Sequence, residues 1–185
     1  MKNFIKKLMP QFLISFYHLL LAKLAAFFYK HPSRKMKIIG VTGTNGKSTV
    51  VNLIAKVLEE EGYLVGLTSS YNFKIGKKEW PNKMKMTMPG RFELQKLLNK
   101  MYQEKCQYAV IEVSSEGIKQ FRHRGIDFDV AVFTNLTPEH IESHGSFEKY
   151  KQAKGELFKR LKEKPNKFID KQEVEKVSII NLDDK

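Results

Sequence analysis

The stretch Met36-Lys37-Ile38-Ile39-Gly40-Val41-Thr42-Gly43-Thr44-Asn45-Gly46-Lys47-Ser48-Thr49-Val50-Val51-Asn52-Leu53-Ile54 decides how the chain folds. Met36 to Val41 is a short apolar run that ends among glycines, the pattern of a buried strand. From Asn45 or Gly46 the pattern turns helical and holds to about Glu61, where Gly62 stops it. A strand, a glycine turn and Lys-Ser-Thr at a helix start make a phosphate cradle. With no side chains in the way, backbone N–H groups converge on phosphate oxygens. The helix adds the partial positive charge of its N-terminus. Lys47 would reach the terminal phosphates, and Ser48 would offer its hydroxyl oxygen to Mg2+. The strict G-x-x-x-x-G-K-[ST] pattern is not met, because position 41 is Val41 and the glycines stand at 40, 43 and 46. The competing reading is a glycine turn that only tightens a strand–helix joint.

Outward from this stretch, strands and helices alternate. Leu64 to Thr68, Tyr108 to Val113, Val130 to Thr134 and Val177 to Ile180 are apolar runs of strand length. Residues 91–104, after Pro89-Gly90, and Ser146 to about Lys162 read as helices, the second with Glu148 in its favourable first turn. The segment from Phe73 to Lys78 reads as a small hairpin or exposed loop. Continuous apolar strands separated by helices predict an α/β fold with a mostly parallel sheet and flanking helices. No internal repeat is visible.

Composition narrows the class. The chain has 185 residues, 42% of them hydrophobic and 29% charged, which supports a packed core and argues against disorder. The lone Cys106 excludes an internal disulfide, fits a reducing cytoplasm and reads as a packing or surface thiol. Net charge is +13, and it is uneven. The first acidic residue is Glu59, preceded by Lys2, Lys6, Lys7, Lys23, Lys30, Arg34, Lys35, Lys37, Lys47 and Lys56. No nucleic-acid motif accompanies the excess, so a membrane surface or phosphorylated ligands are favoured over DNA or RNA.

Residues 1–30 read as one or two helices, followed by a linker at 31–35. Between Phe12 and Tyr29 the clearly polar residues are Ser15, His18 and Lys23, and Gln11, Ser15, His18 and Ala22 recur at helical spacing as a narrow polar stripe. Lys23 interrupts a run already short for a membrane span, and no clean small-residue cleavage site marks a signal peptide. An amphipathic helix lying on a membrane or on a partner protein fits best, with a plain docked helix as the alternative. The expected organisation is a basic amphipathic segment and linker at 1–35 and a phosphate-binding domain at 36–185.

Three further blocks carry a resemblance. The loop from Thr42 to Thr49 resembles the phosphate loop of the Mur ligases, which have this shifted glycine pattern; folylpolyglutamate synthetases share a related loop. Glu112-Val113-Ser114-Ser115-Glu116-Gly117-Ile118-Lys119-Gln120-Phe121-Arg122 resembles that family's E-V-S-S-H-G-L-x-Q-x-R. Phe133-Thr134-Asn135-Leu136-Thr137-Pro138-Glu139-His140-Ile141-Glu142-Ser143-His144-Gly145 resembles F-T-N-L-x-x-D-H-L-D-x-H-G, and Tyr150-Lys151-Gln152-Ala153-Lys154 resembles Y-x-x-A-K. The likeness covers about residues 36–184 and is nearest to the branch that adds the third residue of the peptidoglycan stem peptide. It implies the first part of a P-loop NTPase-like central domain.

The resemblance implies an ATP-dependent, ADP-forming amide ligase of the cytoplasm. Such enzymes phosphorylate the carboxylate of a UDP-muramoyl-peptide, and the amine of an amino acid then displaces phosphate. It implies ATP and Mg2+ as cofactors. Gly43, Thr44, Asn45, Gly46, Lys47, Ser48, Thr49 and Asn135 would hold the nucleotide. Glu112, at the end of a parallel strand where α/β sheets place ligand sites, would bind Mg2+ with Ser48, and His140 would contribute to a second Mg2+ site. Lys154 aligns with the lysine that the family carbamylates, which turns a cation into an anion beside metal or phosphate. Lys47, Glu112, His140 and Lys154 are thus the expected catalytic set. Thr87 and Pro89, with Met88 departing from T-T-P, would face the acceptor together with Ser114, Gln120 and Arg122, whose guanidinium could fork onto a carboxylate or phosphate.

Glu116 stands where the family has histidine, and Glu139 and Glu142 stand where it has aspartate, so charge is kept or added while geometry shifts by a methylene. About 35 residues precede the first strand, far fewer than the family's UDP-holding domain, and the last residues resemble a mid-domain N-x-D-D. The expectation is a truncated frame, a gene fragment or one piece of a split enzyme. A different class remains open: a non-catalytic ATP-binding module that docks on a membrane or partner through residues 1–30. A P-loop kinase or GTPase lacks support, since neither a strict loop nor an N-K-x-D guanine motif is present.

Overall fold

The computed structural model describes residues 10–84, 86–138 and 145–184, without the Gln11 side chain. Its centre is a seven-stranded sheet in the order β4-β3-β2-β5-β1-β6-β9. These strands are β1 (Lys37–Thr42), β2 (Val65–Thr68), β3 (Asn72–Ile75), β4 (Lys78–Pro81), β5 (Tyr108–Glu112), β6 (Val130–Phe133) and β9 (Val177–Ile180). β1 lies between β5 and β6, parallel to both, with Val41 beside Glu112 and Thr42 beside Phe133. β2 and β9 extend the parallel set, so the mostly parallel α/β fold expected above is what forms. The segment from Phe73 to Lys78 becomes the β3–β4 hairpin, paired antiparallel onto β2.

Successive strand residues face opposite sides of the sheet, which is why the central strands β1, β2, β5 and β6 are mostly apolar. On one side Ile39, Val41, Leu67 and Val110 pack under α2 (Lys47–Glu60) through Val51 and Ala55. On the other, Ile38, Ile111 and Phe128 pack against α3 (Arg91–Gln103) through Leu94 and Leu98, and against α5 (Phe147–Glu163) through Leu157 and Leu161. Cys106 belongs to this second layer and is buried, so of the two readings of that thiol the packing one holds. Ser146 caps α5 by accepting from the Lys149 amide at 3.2 Å, and Glu148 sits in its first turn.

Two segments depart from expectation. The supposed linker is a packed 3-10 turn, Pro32–Lys35, in which Pro32 and Ser33 are buried and the Ser33 hydroxyl accepts from the Asp127 amide at 3.1 Å. A second small sheet, β7 (Lys167–Ile169) with β8 (Gln172–Val174), was not foreseen. Its two-residue turn places Asp170 and Lys171 at positive φ, the geometry that hairpins favour but that asparagine or glycine normally signals. The hairpin is fastened by Lys167, which pairs at 2.6 Å with Asp129; that buried carboxylate also accepts from the Ile38 amide and from Lys176.

The N-terminal segment contributes α1 (Gln11–Phe28), which packs on α3 and on the 3-10 turn Arg122–Gly125. Ala22, Ala25 and Ala26 form the buried side. The contact is close: a side chain at Gly125 would meet the Ala22 carbonyl and the Ala26 methyl. No helix among the described residues is long and apolar enough to cross a membrane.

Candidate functional site

The loops that follow β1, β5 and β6 emerge together at the C-terminal edge of the sheet, where parallel α/β folds place ligands. After Thr42 the chain turns through Gly43, at φ 150°, and Gly46, at φ 76°, before α2 begins at Lys47. Both glycines are required by position. A Cβ on Gly43 would lie 1.9 Å from the Thr134 hydroxyl, and Gly46 adopts a left-handed conformation that costs other residues about 1–2 kcal/mol. The loop is tied to the segment after β6. The Thr44 amide donates to the Asn135 carbonyl and the Asn45 amide to Asn135 Oδ1, each at 2.8 Å, while Thr134 donates its hydroxyl to the Asn45 carbonyl.

Lys47 curls back over the loop and donates to the Thr44 carbonyl at 2.6 Å. Ser48 points the other way, donating its hydroxyl to Glu112 Oε2 at 2.6 Å. Glu112 ends β5 and is buried. Its carboxylate also accepts from the Ser70 amide at 2.7 Å and the Ser70 hydroxyl at 3.1 Å. These donors are neutral, so a buried carboxylate and a hydroxyl share one spot at the start of the phosphate-loop helix. Such an all-oxygen set suits a small hard cation that keeps waters and takes its remaining ligands from phosphate. The residue types therefore fit Mg2+. Among the described residues no group of three His, Cys, Asp or Glu gathers elsewhere as a metal cluster. The cleft beside this spot has a volume near 240 Å³ and is lined by loop residues 44–49 with Ser70, Tyr71 and Glu112.

Lys154 reaches the same loop from α5. It is buried, donates to the Gly43 carbonyl, and lies 4.3 Å from the centre of the Tyr150 ring. Tyr150 in turn shares a hydrogen bond with the Thr44 hydroxyl at 3.1 Å. Three segments distant in sequence thus hold one loop. His140, with Glu139 and Glu142, lies outside the described residues.

The expected acceptor residues form a second group, displaced from the phosphate loop. Ser114 caps α4 (Ser115–Lys119) by accepting from the Gly117 amide at 3.1 Å. Gln120 bridges Glu116 at 2.6 Å and Arg122 at 2.8 Å. Arg122 also donates to the Met88 carbonyl, beside the buried Pro89. Thr87 shares a hydroxyl–hydroxyl hydrogen bond with Ser70 at 3.0 Å, which links this group to Glu112. Met88 is fully buried against Gly117, so the departure from T-T-P fills the core rather than facing a ligand.

The model of the Mur ligase middle domain matches residues 41–185. The chain belongs to the Mur ligase family. A UDP-N-acetylmuramyl-tripeptide synthetase of Roseiflexus sp. is 43% identical over 166 residues, covering 89% of this chain and 32% of that protein. A UDP-N-acetylmuramoyl-L-alanyl-D-glutamate–2,6-diaminopimelate ligase of Halalkalibacterium halodurans is 41% identical over 164 residues, with the same two coverages. A solved structure of a ligase with that same function superposes with a TM-score of 0.71 at 28% identity, covering 90% of this chain and 32% of that one. The chain spans about a third of the length of the curated relatives it matches.

Within this Mur ligase chain the fold gathers Gly43, Thr44, Asn45, Gly46, Lys47, Ser48, Glu112, Asn135 and Lys154 around one loop. Thr49 is exposed beside the cleft. Ser114, Gln120 and Arg122 stand apart, engaged mainly with one another's segment. Sequence alone does not single out Ser70, although it makes two of the three hydrogen bonds to the Glu112 carboxylate among the described residues. The signal was available, since Ser69-Ser70 follows β2 at the same sheet edge as the phosphate loop. Tyr150, the first residue of the Y-x-x-A-K block, joins Thr44 to Lys154 through its hydroxyl and ring.

Proposed function

We propose that this chain is the nucleotide-binding part of an ATP-dependent, ADP-forming ligase of peptidoglycan precursor synthesis, working in the cytoplasm. On this reading residues 36–185 are the N-terminal portion of the family's central domain, and residues 1–35 are an appendage. The ligase would join an amino acid to the carboxylate of a UDP-muramoyl-peptide. The γ-phosphoryl group of ATP passes to that carboxylate, giving an acyl phosphate and ADP. The amine then attacks the acyl carbon, the C–O bond to phosphate breaks, and inorganic phosphate leaves.

The observation that carries this reading is the Ser48–Glu112 hydrogen bond at the start of α2, where an oxygen-only pair faces the phosphate loop. In this scheme the amides of residues 43–48 receive the phosphates and Lys47 swings from the Thr44 carbonyl to the terminal phosphate. Mg2+ at Ser48 and Glu112 would neutralise the charge that builds where several anions meet. His140 would serve a second Mg2+. Lys154, whose amine donates to Gly43, would hold the loop or, once carbamylated, present an anion there. Thr87, Pro89, Ser114, Gln120 and Arg122 would position the muramoyl-peptide. A second reading, contact of the N-terminal segment with a membrane or a partner protein, is favoured by the apolar side chains that α1 turns outward.

Calorimetry of the chain with Mg2+-ATP tests the nucleotide site. Binding that Lys47→Ala weakens at least about tenfold, a loss of about 1.4 kcal/mol, with an unchanged melting temperature supports the proposal. A folded chain that binds Mg2+-ATP no better than Lys47→Ala refutes it.

A further inference from the structure

An ordinary surface helix turns its apolar stripe toward the core and its polar stripe to water. α1 does the reverse. The stripe made by Ser15, His18 and Ala22 lies on the side turned toward the domain, together with Ala25 and Ala26. The opposite side carries Phe12, Phe16, Tyr17, Leu24, Phe27 and Phe28, which are 47–75% exposed. At 100° per residue these six and Leu20 fall on one continuous arc. Lys23 is the sole charged residue within α1, and it sits on the exposed side. The small residues explain the orientation: alanines let the helix backbone approach Gly125, which large side chains would prevent.

We propose that α1 docks the chain on the surface of an anionic phospholipid bilayer, lying flat with its aromatic stripe in the headgroup boundary and Lys23 and Lys30 at the headgroup phosphates. An 18-residue helix is about 27 Å long, and among the described residues no helix is long and apolar enough to cross a membrane. Phenylalanine and tyrosine are residues that settle at the boundary between headgroups and acyl chains. Charge selects the occupant. Lys23 is exposed on the stripe and Lys30 just after its end, and no acidic residue precedes Glu59 in the chain. A second copy would bring the same cations face to face, whereas anionic lipid neutralises them. The inference stands on α1 alone and goes beyond the ligase reading, because no nucleotide or acceptor residue takes part.

Flotation of the 185-residue chain with phosphatidylcholine vesicles, with and without phosphatidylglycerol, tests it. The chain is expected to float with the anionic vesicles and to stay behind with pure phosphatidylcholine. Raising salt from about 0.1 M to about 1 M shrinks the screening length from about 10 Å to about 3 Å and should cut the bound fraction several-fold. Phe16→Glu/Phe27→Glu, at two exposed positions, should lower binding at least tenfold with an unchanged melting temperature, and Lys23→Glu/Lys30→Glu should abolish the preference for anionic vesicles. Failure to float with anionic vesicles overturns the proposal, as does equal flotation with neutral ones. So does a dimer in sedimentation that Phe16→Glu/Phe27→Glu dissociates while no vesicle is bound; the stripe would then belong to a second copy.

Discussion

Acidification should loosen this domain through one imidazole. His123 lies in the 3-10 turn Arg122–Gly125 beneath α1, buried, and neither ring nitrogen has a hydrogen-bond partner among the described residues. Burial pushes its pKa from 6.5 down to about 3, and the positive charges of Arg124 and Arg160 push the same way. In the unfolded chain the imidazole takes a proton near 6.5; in the folded one it resists until about 3. Between these values the unfolded state binds more protons, so acid favours unfolding. The stability tied to neutral His123 is complete above pH 6.5 and drains away as pH falls toward 3. At pH 5 the loss is about 2 kcal/mol, from RT ln(1 + 10^1.5), which for a domain of this size lowers the melting temperature by about 4–8 °C. Carboxylates protonate over part of the same range, so the comparison must be with His123→Leu, which removes the titrating group without sacrificing a hydrogen bond. Urea melts of both proteins at pH 7.5 and pH 5 give the answer. The wild type should lose about 2 kcal/mol more than the variant between the two pH values. Parallel losses would refute the argument and mean that the imidazole finds water or a partner in solution.

Two further outcomes bear on the phosphate loop. Glu112→Gln keeps the shape of the side chain and one acceptor for Ser48 and Ser70 but removes a buried charge whose described hydrogen-bond donors are neutral. Its melting temperature should be equal or higher, while Mg2+-ATP affinity falls at least about tenfold, about 1.4 kcal/mol; unchanged affinity in calorimetry would take Glu112 out of the metal site. Gly43→Ala drives a methyl into Thr134 and should cost about 1–3 kcal/mol of stability, more than Gly46→Ala, where no atom lies within 4 Å of the added carbon. Denaturant melts that reverse this order would show that the loop relaxes at Gly43.

What could be read from residues alone tracks how strictly chemistry ties type to spacing. The turn from Gly40 to Thr49 was legible because phosphate recognition demands small residues, a lysine and a hydroxyl at set offsets, and backbone sterics at Gly43 and Gly46 leave few substitutes. The sheet was legible because strands buried on both faces must be apolar throughout. Ser70 was not, because a serine after a strand is common and only the fold brings it to Glu112. Neither was the β7–β8 hairpin, since Asp170-Lys171 makes a turn that glycine usually announces.

The orientation of α1 shows the limit most clearly. Periodicity reveals that Ser15, His18 and Ala22 share a side, yet it does not say which side meets the protein. The rule that apolar residues face inward would have buried Phe16 and Phe27. It fails because burial on this surface is decided by fit, not by hydrophobicity: only alanine-sized residues can meet Gly125 and the 3-10 turn closely. Packing fixes the small side of the helix, and the large apolar side is left for whatever lies beyond the domain. The apolar area left exposed on α1 is then a consequence of how its other side packs. That is why the vesicle experiment reads out the helix's purpose, whereas a stability measurement on the same variants would not.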